Sequence, residues 1–184
     1  KTTTDKKSVS YKSELIDVDN ILKKVTYKLY QGEAFIASTE NSEHKFTGLF
    51  SDNNYVLVVE YEYDLNNGEI TKDELRIDAH TKAILAPIYT VDSMVSDRES
   101  IVFAIDVDNT RISYNVALYK DLNKIETVDE LKGEFVNLYS GSNYRVVLTY
   151  KYDLNDGRGV LTSTQNYDVK TESLIMPEFD VTYY

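Results

Sequence analysis

From residue 55 to residue 63 apolar and polar side chains alternate. Tyr55, Leu57, Val59, Tyr61 and Tyr63 fall on one side of an extended chain, Glu60 and Glu62 on the other. Successive side chains of a strand point to opposite faces, so nine residues of this pattern predict a half-buried strand. The pattern returns 89 residues later, with Tyr144, Val146, Leu148, Tyr150 and Tyr152 on one side and Arg145, Thr149 and Lys151 on the other. Each run leads into Asn67-Gly68 or Asp156-Gly157, dipeptides that accept the positive φ of a hairpin turn. A final strand then returns through 75–77 or 161–169.

Earlier in each half a second alternation appears. Val25, Tyr27 and Leu29 form one predicted strand face, and Ile112, Tyr114, Val116 and Leu118 its counterpart. Before these, Ile101, Phe103, Ile105 and Val107 alternate with Val102, Ala104 and Asp106. The pentapeptide at 105–109, IDVDN, also stands at 16–20, again 89 residues apart. In that register the first copy would turn Lys12 and Glu14 inward, which predicts slipped pairing or a frayed edge. Residues 1–7 read as a linker or a frayed first strand. Residues 37–43 and 126–131 read as loop with a short strand.

The two halves are copies. Of the 23 positions in 46–68, twelve hold the same residue in 135–157. A repeat of this length means two modules of similar build, 1–87 and 88–177. Their tails, 81–87 and 171–177, stand 90 apart, so one residue is inserted in the second hairpin or the strand after it. The last residues, 178–184, line up with the opening of the second copy. They read as the truncated start of a third, and the chain as a piece of a longer array.

About seven short strands per copy, with turn signals between them and no convincing helix, predict an all-β fold: two tandem seven-stranded Greek-key β-sandwiches. At Leu49 and Tyr55, and again at Leu138 and Tyr144, the chain resembles fibronectin type III and related immunoglobulin-like modules. A Leu six residues before a Tyr that begins the sixth strand is their tyrosine-corner pattern. The resemblance implies a Tyr hydroxyl capping a backbone carbonyl where the chain crosses between sheets. Pro87 and Pro177 match the Pro that often opens such modules. The signature YDLN(D/N)G, with IDVDN upstream, looks like repeats of Gram-positive bacterial surface proteins. Two departures stand out: the inward Trp expected on the second strand is Ile16 or Ile105, and the Pro usual within the corner is missing. No RGD is present, which removes that route to integrin-type adhesion.

Composition narrows the function. With 31 acidic against 20 basic residues the net charge is −11, so a phosphate backbone would be repelled and nucleic acid is not an expected partner. There is no cysteine, hence no disulfide and no thiolate metal site. No apolar run reaches membrane-spanning length, so this segment is not expected to contact a membrane.

The acidic loops are the candidate chemistry. In the predicted topology Asp106, Asp108 and Asn109 come near Asp153, Asn155 and Asp156 at one end of a module. Carboxylate and amide oxygens so clustered could hold calcium, a hard ion that takes six to eight oxygens. The competing reading is that Asp and Asn stand there because they make turns. DLNDG lacks the spacing of an EF-hand loop. His44 and His80 lie in polar stretches without a nucleophile nearby, and no acid–base pair is placed to converge, so no enzyme is expected. The 16 tyrosines mostly take the inward register; Tyr89, Tyr119, Tyr139 and Tyr167 are less well explained by it and could form a binding surface, while Tyr183 and Tyr184 are expected to lie in the truncated third module. A Lys–Asn or Lys–Asp crosslink would need an inward Lys, for which Lys12 is the one candidate, and the unmodified mass is expected. The sequence thus points to a non-catalytic, monomeric spacer or interaction repeat, extracellular on a bacterial surface or secreted. Its expected partners are neighbouring repeats, or a host or cell-wall glycan or protein. The alternative is an adhesin or carbohydrate-binding module that uses its loops and tyrosines.

Overall fold

The computed structural model describes residues 1–107 and 111–182. Strands in the first half are β1 (Thr2–Asp5), β2 (Ser8–Lys12), β3 (Leu22–Gln31), β4 (Ala34–Thr39), β5 (Glu43–Thr47), β6 (Asn54–Asp64) and β7 (Ile70–His80). The second half repeats the series as β8 (Tyr89–Ser96), β9 (Ile101–Val107), β10 (Arg111–Lys120), β11 (Asn123–Val128), β12 (Lys132–Phe135), β13 (Asn143–Asp153) and β14 (Val160–Lys170). The chain divides into two compact units: Lys1–Leu85 with Leu154–Gly159, and Ala86–Asp153 with Val160–Tyr184.

In the first unit β1-β2-β5 form one antiparallel sheet and β4-β3-β6-β7 another. The chain therefore changes sheet between β2 and β3, again between β4 and β5, and again between β5 and β6. That is the Greek-key order of fibronectin III and immunoglobulin-like sandwiches. The alternating residues of both sheets meet in one core: Val9, Tyr11 and Phe46 from the smaller sheet, Tyr27, Leu29, Tyr55, Leu57 and Ala79 from the larger. Each fully buried Val, Leu or Phe side chain among them contributes about 1.5–3 kcal/mol. The second unit repeats this with sheets β12-β9-β8 and β11-β10-β13-β14. Ile101, Phe103, Ile105, Val107 and Phe135 there face Val116, Leu118, Tyr144, Val146, Leu148 and Tyr150. All-β architecture is as the alternation predicts.

Two local readings change. Of the two readings of residues 1–7 the first strand holds and the linker does not, since β1 pairs along its length with β2, Thr2 opposite Tyr11 and Asp5 opposite Ser8. The hairpin loops take positive φ at Asn66 (61°) and Gly68 (87°), and at Asn155 (51°) and Gly157 (92°), rather than at Asn67 or Asp156. Since β13 ends at Asp153 and β14 begins at Val160, the inserted residue of the second copy lies in this loop.

A larger correction concerns the repeated pentapeptide. Ile105 and Val107 are buried on β9, 0% and 3% exposed, whereas Ile16 and Val18 lie outside any strand, 88% and 89% exposed. Pairing explains why. Val9 stands opposite Phe46 and Ile101 opposite Phe135, so the second strands correspond at an offset of 92, not 89. The first copy has a connection three residues longer, and IDVDN falls into it. The inward residues of its second strand are Val9 and Tyr11, not Ile16, and Lys12 is exposed beside Glu43 at 3.4 Å. In the loop Asp17 accepts the amides of Ile21 and Leu22 at 3.0 and 2.9 Å and so holds the entry to β3.

Candidate functional site

The most highly constrained polar constellation is the corner between β5 and β6, built twice. In the first unit the Phe50 N–H donates to the Tyr55 phenol oxygen at 2.9 Å. The Thr81 hydroxyl donates to the Phe50 carbonyl at 2.7 Å and accepts the Asn53 N–H at 3.0 Å. In the second unit the Tyr139 N–H donates to Tyr144 at 2.8 Å, and Thr171 donates to the Tyr139 carbonyl at 2.7 Å while accepting from Ser142 at 3.0 Å. Thr81 and Thr171 are 0% and 2% exposed. The phenol thus accepts from an amide, whereas the resemblance implied that it caps a carbonyl; the carbonyl goes to Thr, and the Tyr55 hydroxyl reaches it only at 3.5 Å. Burial raises the Tyr55 pKa, with the Phe50 backbone bond opposing. Sequence reading passed over these threonines, although both copies keep them at the start of the tail.

Asp106 is exposed on β9 and Asp153 exposed at the end of β13, while Asp108 and Asn109 lie outside the described residues. Asn155 and Asp156 belong to the first unit. The Asp156 carboxylate accepts Arg158 Nε at 2.7 Å and the Arg158 N–H at 3.0 Å, which holds its pKa below the usual carboxylate range. Asn155 donates from Nδ2 to the Leu49 carbonyl at 3.0 Å and accepts the Ser51 N–H at 2.7 Å. Among the described residues no three His, Cys, Asp or Glu side chains converge as a metal-holding group. His80 lies between Asn54 Oδ1 (2.8 Å) and Asp52 Oδ1 (3.1 Å), and His44 packs edge-on to Phe46.

Of the tyrosines, Tyr27 and Tyr55 are buried as their register predicts, whereas Tyr61 and Tyr63 are only half-buried. Their rings lie side by side, centroids 6.0 Å apart, with Asp73 opposite Tyr61 on the neighbouring strand. In the second unit the corresponding Tyr150 is buried in the core cluster that holds Ile105 and Val107, while Tyr152, like Tyr63, is half-buried. Tyr139 is 72% exposed, with Lys120 Nζ 4.2 Å above its ring. Tyr183 and Tyr184 lie outside the described residues. A shallow depression of about 440 Å³ in the second unit is lined by Asp121, Asn143, Arg145, Asp168 and Lys170. Arg145 and Asp168 pair across it at 2.8 Å, and no histidine or uncommitted hydroxyl faces it.

No family model matches the chain, and no curated protein does. Among solved structures it is similar to the central fibronectin-III array of RIM-binding protein, with 16% sequence identity and a TM-score of 0.34. The match covers 94% of this chain and 66% of that one. No helix among the described residues is long and apolar enough to cross a membrane.

Proposed function

We propose that this chain is a pair of tandem spacer or interaction repeats from a bacterial cell-surface or secreted protein, with neighbouring repeats as its partners and no catalysis of its own. One observation carries the reading. The corner hydroxyls of both copies, those of Tyr55 and Thr81 and of Tyr144 and Thr171, are spent on their own backbone. Groups so committed hold a corner rigid; they do not bind substrate. The YDLN(D/N)G and IDVDN signatures support the bacterial surface setting. Surface labelling of intact cells with antibody to the chain tests it, and a signal only after lysis would refute the location.

A second reading is favoured by the Tyr61–Tyr63 pair: a glycan-binding face in the first unit. Adjacent rings with a carboxylate beside them suit a sugar ring, whose C–H face stacks while its hydroxyls find acceptors. Calorimetry against wall polysaccharide with wild type and with Tyr61→Ala/Tyr63→Ala decides between the two. Binding lost in the variant supports the glycan reading, and no heat with wild type leaves the spacer.

A further inference from the structure

The corner of the first unit is occupied. Residues Leu154–Gly159, which belong to that unit, sit on it. Asn155 Nδ2 reaches the Leu49 carbonyl at 3.0 Å, the Ser51 N–H reaches the Asn155 carbonyl at 2.7 Å, and the Ser51 hydroxyl donates to the Leu154 carbonyl. Ser51 is consequently 0% exposed, and Leu154 and Asn155 are half-buried.

Every residue that makes these three bonds has an identical counterpart at the repeat spacing. Leu49 and Ser51 correspond to Leu138 and Ser140, Leu154 and Asn155 to Leu65 and Asn66. Backbone shape is kept as well, with φ of 61° at Asn66 and 51° at Asn155, 87° at Gly68 and 92° at Gly157. Yet the counterpart surfaces are open. Leu65 is 56% exposed and Asn66 exposed; Ser140 is half-exposed, and Tyr139, which replaces Phe50, is 72% exposed. No described residue sits on 138–142 as 154–156 sits on 49–53. One bond does not transfer: Asn53 donates to the Asp156 carbonyl at 3.3 Å, whereas its counterpart Ser142 bonds to Ser140.

We propose that 65–68 and 138–142 are the two halves of a repeat-to-repeat joint, and that each takes a further copy of this same module. A hairpin tip with Leu-Asn enters a Leu-aromatic-Ser corner, the Asn amide bonds to the Leu carbonyl, and the Ser takes both tip carbonyls. The two surfaces are different patches on one chain, so copies joined this way extend in an open line rather than closing as a dimer. The occupant is a second copy because the donor and acceptor atoms that match the corner are those of the chain's own hairpin. The joint is independent of any cellular location.

Tethering within one chain raises the effective concentration to about millimolar, so the untethered pair is to be read near that protein concentration. Copies of charge −11 repel, and about 1 M salt, with a screening length of about 3 Å, removes that opposition. The chain has no native cysteine, which makes disulfide trapping clean. Ser51→Cys/Asn155→Cys should close an internal disulfide and verify the corner. Asn66→Cys/Ser140→Cys should then oxidise to a ladder of linear multimers, several-fold above Asn66→Cys/Ile125→Cys, which pairs the same tip with an unrelated exposed site. Because Asn66 has positive φ, wild type supplies a second readout: amide resonances of 65–68 and 138–142 should shift together with concentration. A ladder no stronger than the control, or no paired shifts at millimolar wild type, overturns the proposal.

Discussion

Thr81 and Tyr55 close on one residue from opposite sides, Tyr55 taking the N–H of Phe50 at 2.9 Å and Thr81 its carbonyl at 2.7 Å. Both peptide groups flanking that side chain are thereby satisfied where the chain crosses between sheets, out of reach of either ladder. Thr171 and Tyr144 do the same to Tyr139.

Tyr55→Phe therefore strands one amide, at a cost of about 1–3 kcal/mol. Thr81→Val costs more, because it removes the partner of the Phe50 carbonyl and of the Asn53 N–H together. Each kcal/mol should lower the melting temperature of a unit this size by about 4–8 °C. Thermal melts of Tyr55→Phe, Thr81→Val and the double variant check it. Because both act on one residue, the double variant should fall short of the sum.

The two copies of IDVDN supply a controlled pair. Ile105→Ala empties a position with no exposure and should cost about 2–5 kcal/mol. Ile16→Ala, at 88% exposure, should change stability by no more than about 0.5 kcal/mol. Urea denaturation of the two variants measures the difference directly.

That pair also marks what was legible in the sequence. Strand identity and the inward tyrosines could be read because a period of two is local, and Tyr55, Leu57, Tyr144 and Val146 lie where the alternation puts them. Register could not be read from identity alone. The same three residues stand in a strand at Ile105–Val107 and in a loop at 16–18, according to the length of the connection, and only the pairing of Val9 with Phe46 reveals the shift. The role of Thr81 was hidden for another reason: its partners lie 28 and 31 residues upstream, and recurrence of a Thr at the start of both tails does not say what it bonds to. The turn role of Asp156 was legible as an alternative, since Asp and Asn in such positions bond to nearby backbone.

Tyr167 is expected to be better as Phe. Its hydroxyl is buried without a hydrogen-bond partner among the described residues, and burial, with Tyr89 and Tyr150 adding, pushes its pKa up to about 12. An unpaired buried hydroxyl opposes folding, so Tyr167→Phe should be neutral or stabilising at pH 7. The unfolded phenol releases its proton near 10 and the folded one near 12, so between these values the folded state holds more protons and stability falls as pH rises. Tyr11 and Tyr55, also raised by burial, add to that alkaline loss. Tyr167→Phe should make the decline above pH 10 shallower in denaturation curves. An unchanged slope would mean that Tyr167 does not contribute.

Calcium separates the two readings of the acidic loops. Asp156 is already engaged by Arg158, and in the first copy Asp17 by the amides of Ile21 and Leu22. Carboxylates bound into their own turns are satisfied without an ion, and a calcium ion would have to displace Arg158 to use Asp156. The turn reading predicts the same melting temperature in millimolar calcium as in chelator. A metal held by Asp106, Asp108, Asn109, Asp153, Asn155 and Asp156 would instead stabilise the fold by about 2.7 kcal/mol at a hundredfold excess over Kd. Arg158→Ala sharpens the comparison. It frees the Asp156 carboxylate, so under the metal reading the calcium-dependent rise should grow, and under the turn reading the variant should be weakened equally with and without the ion.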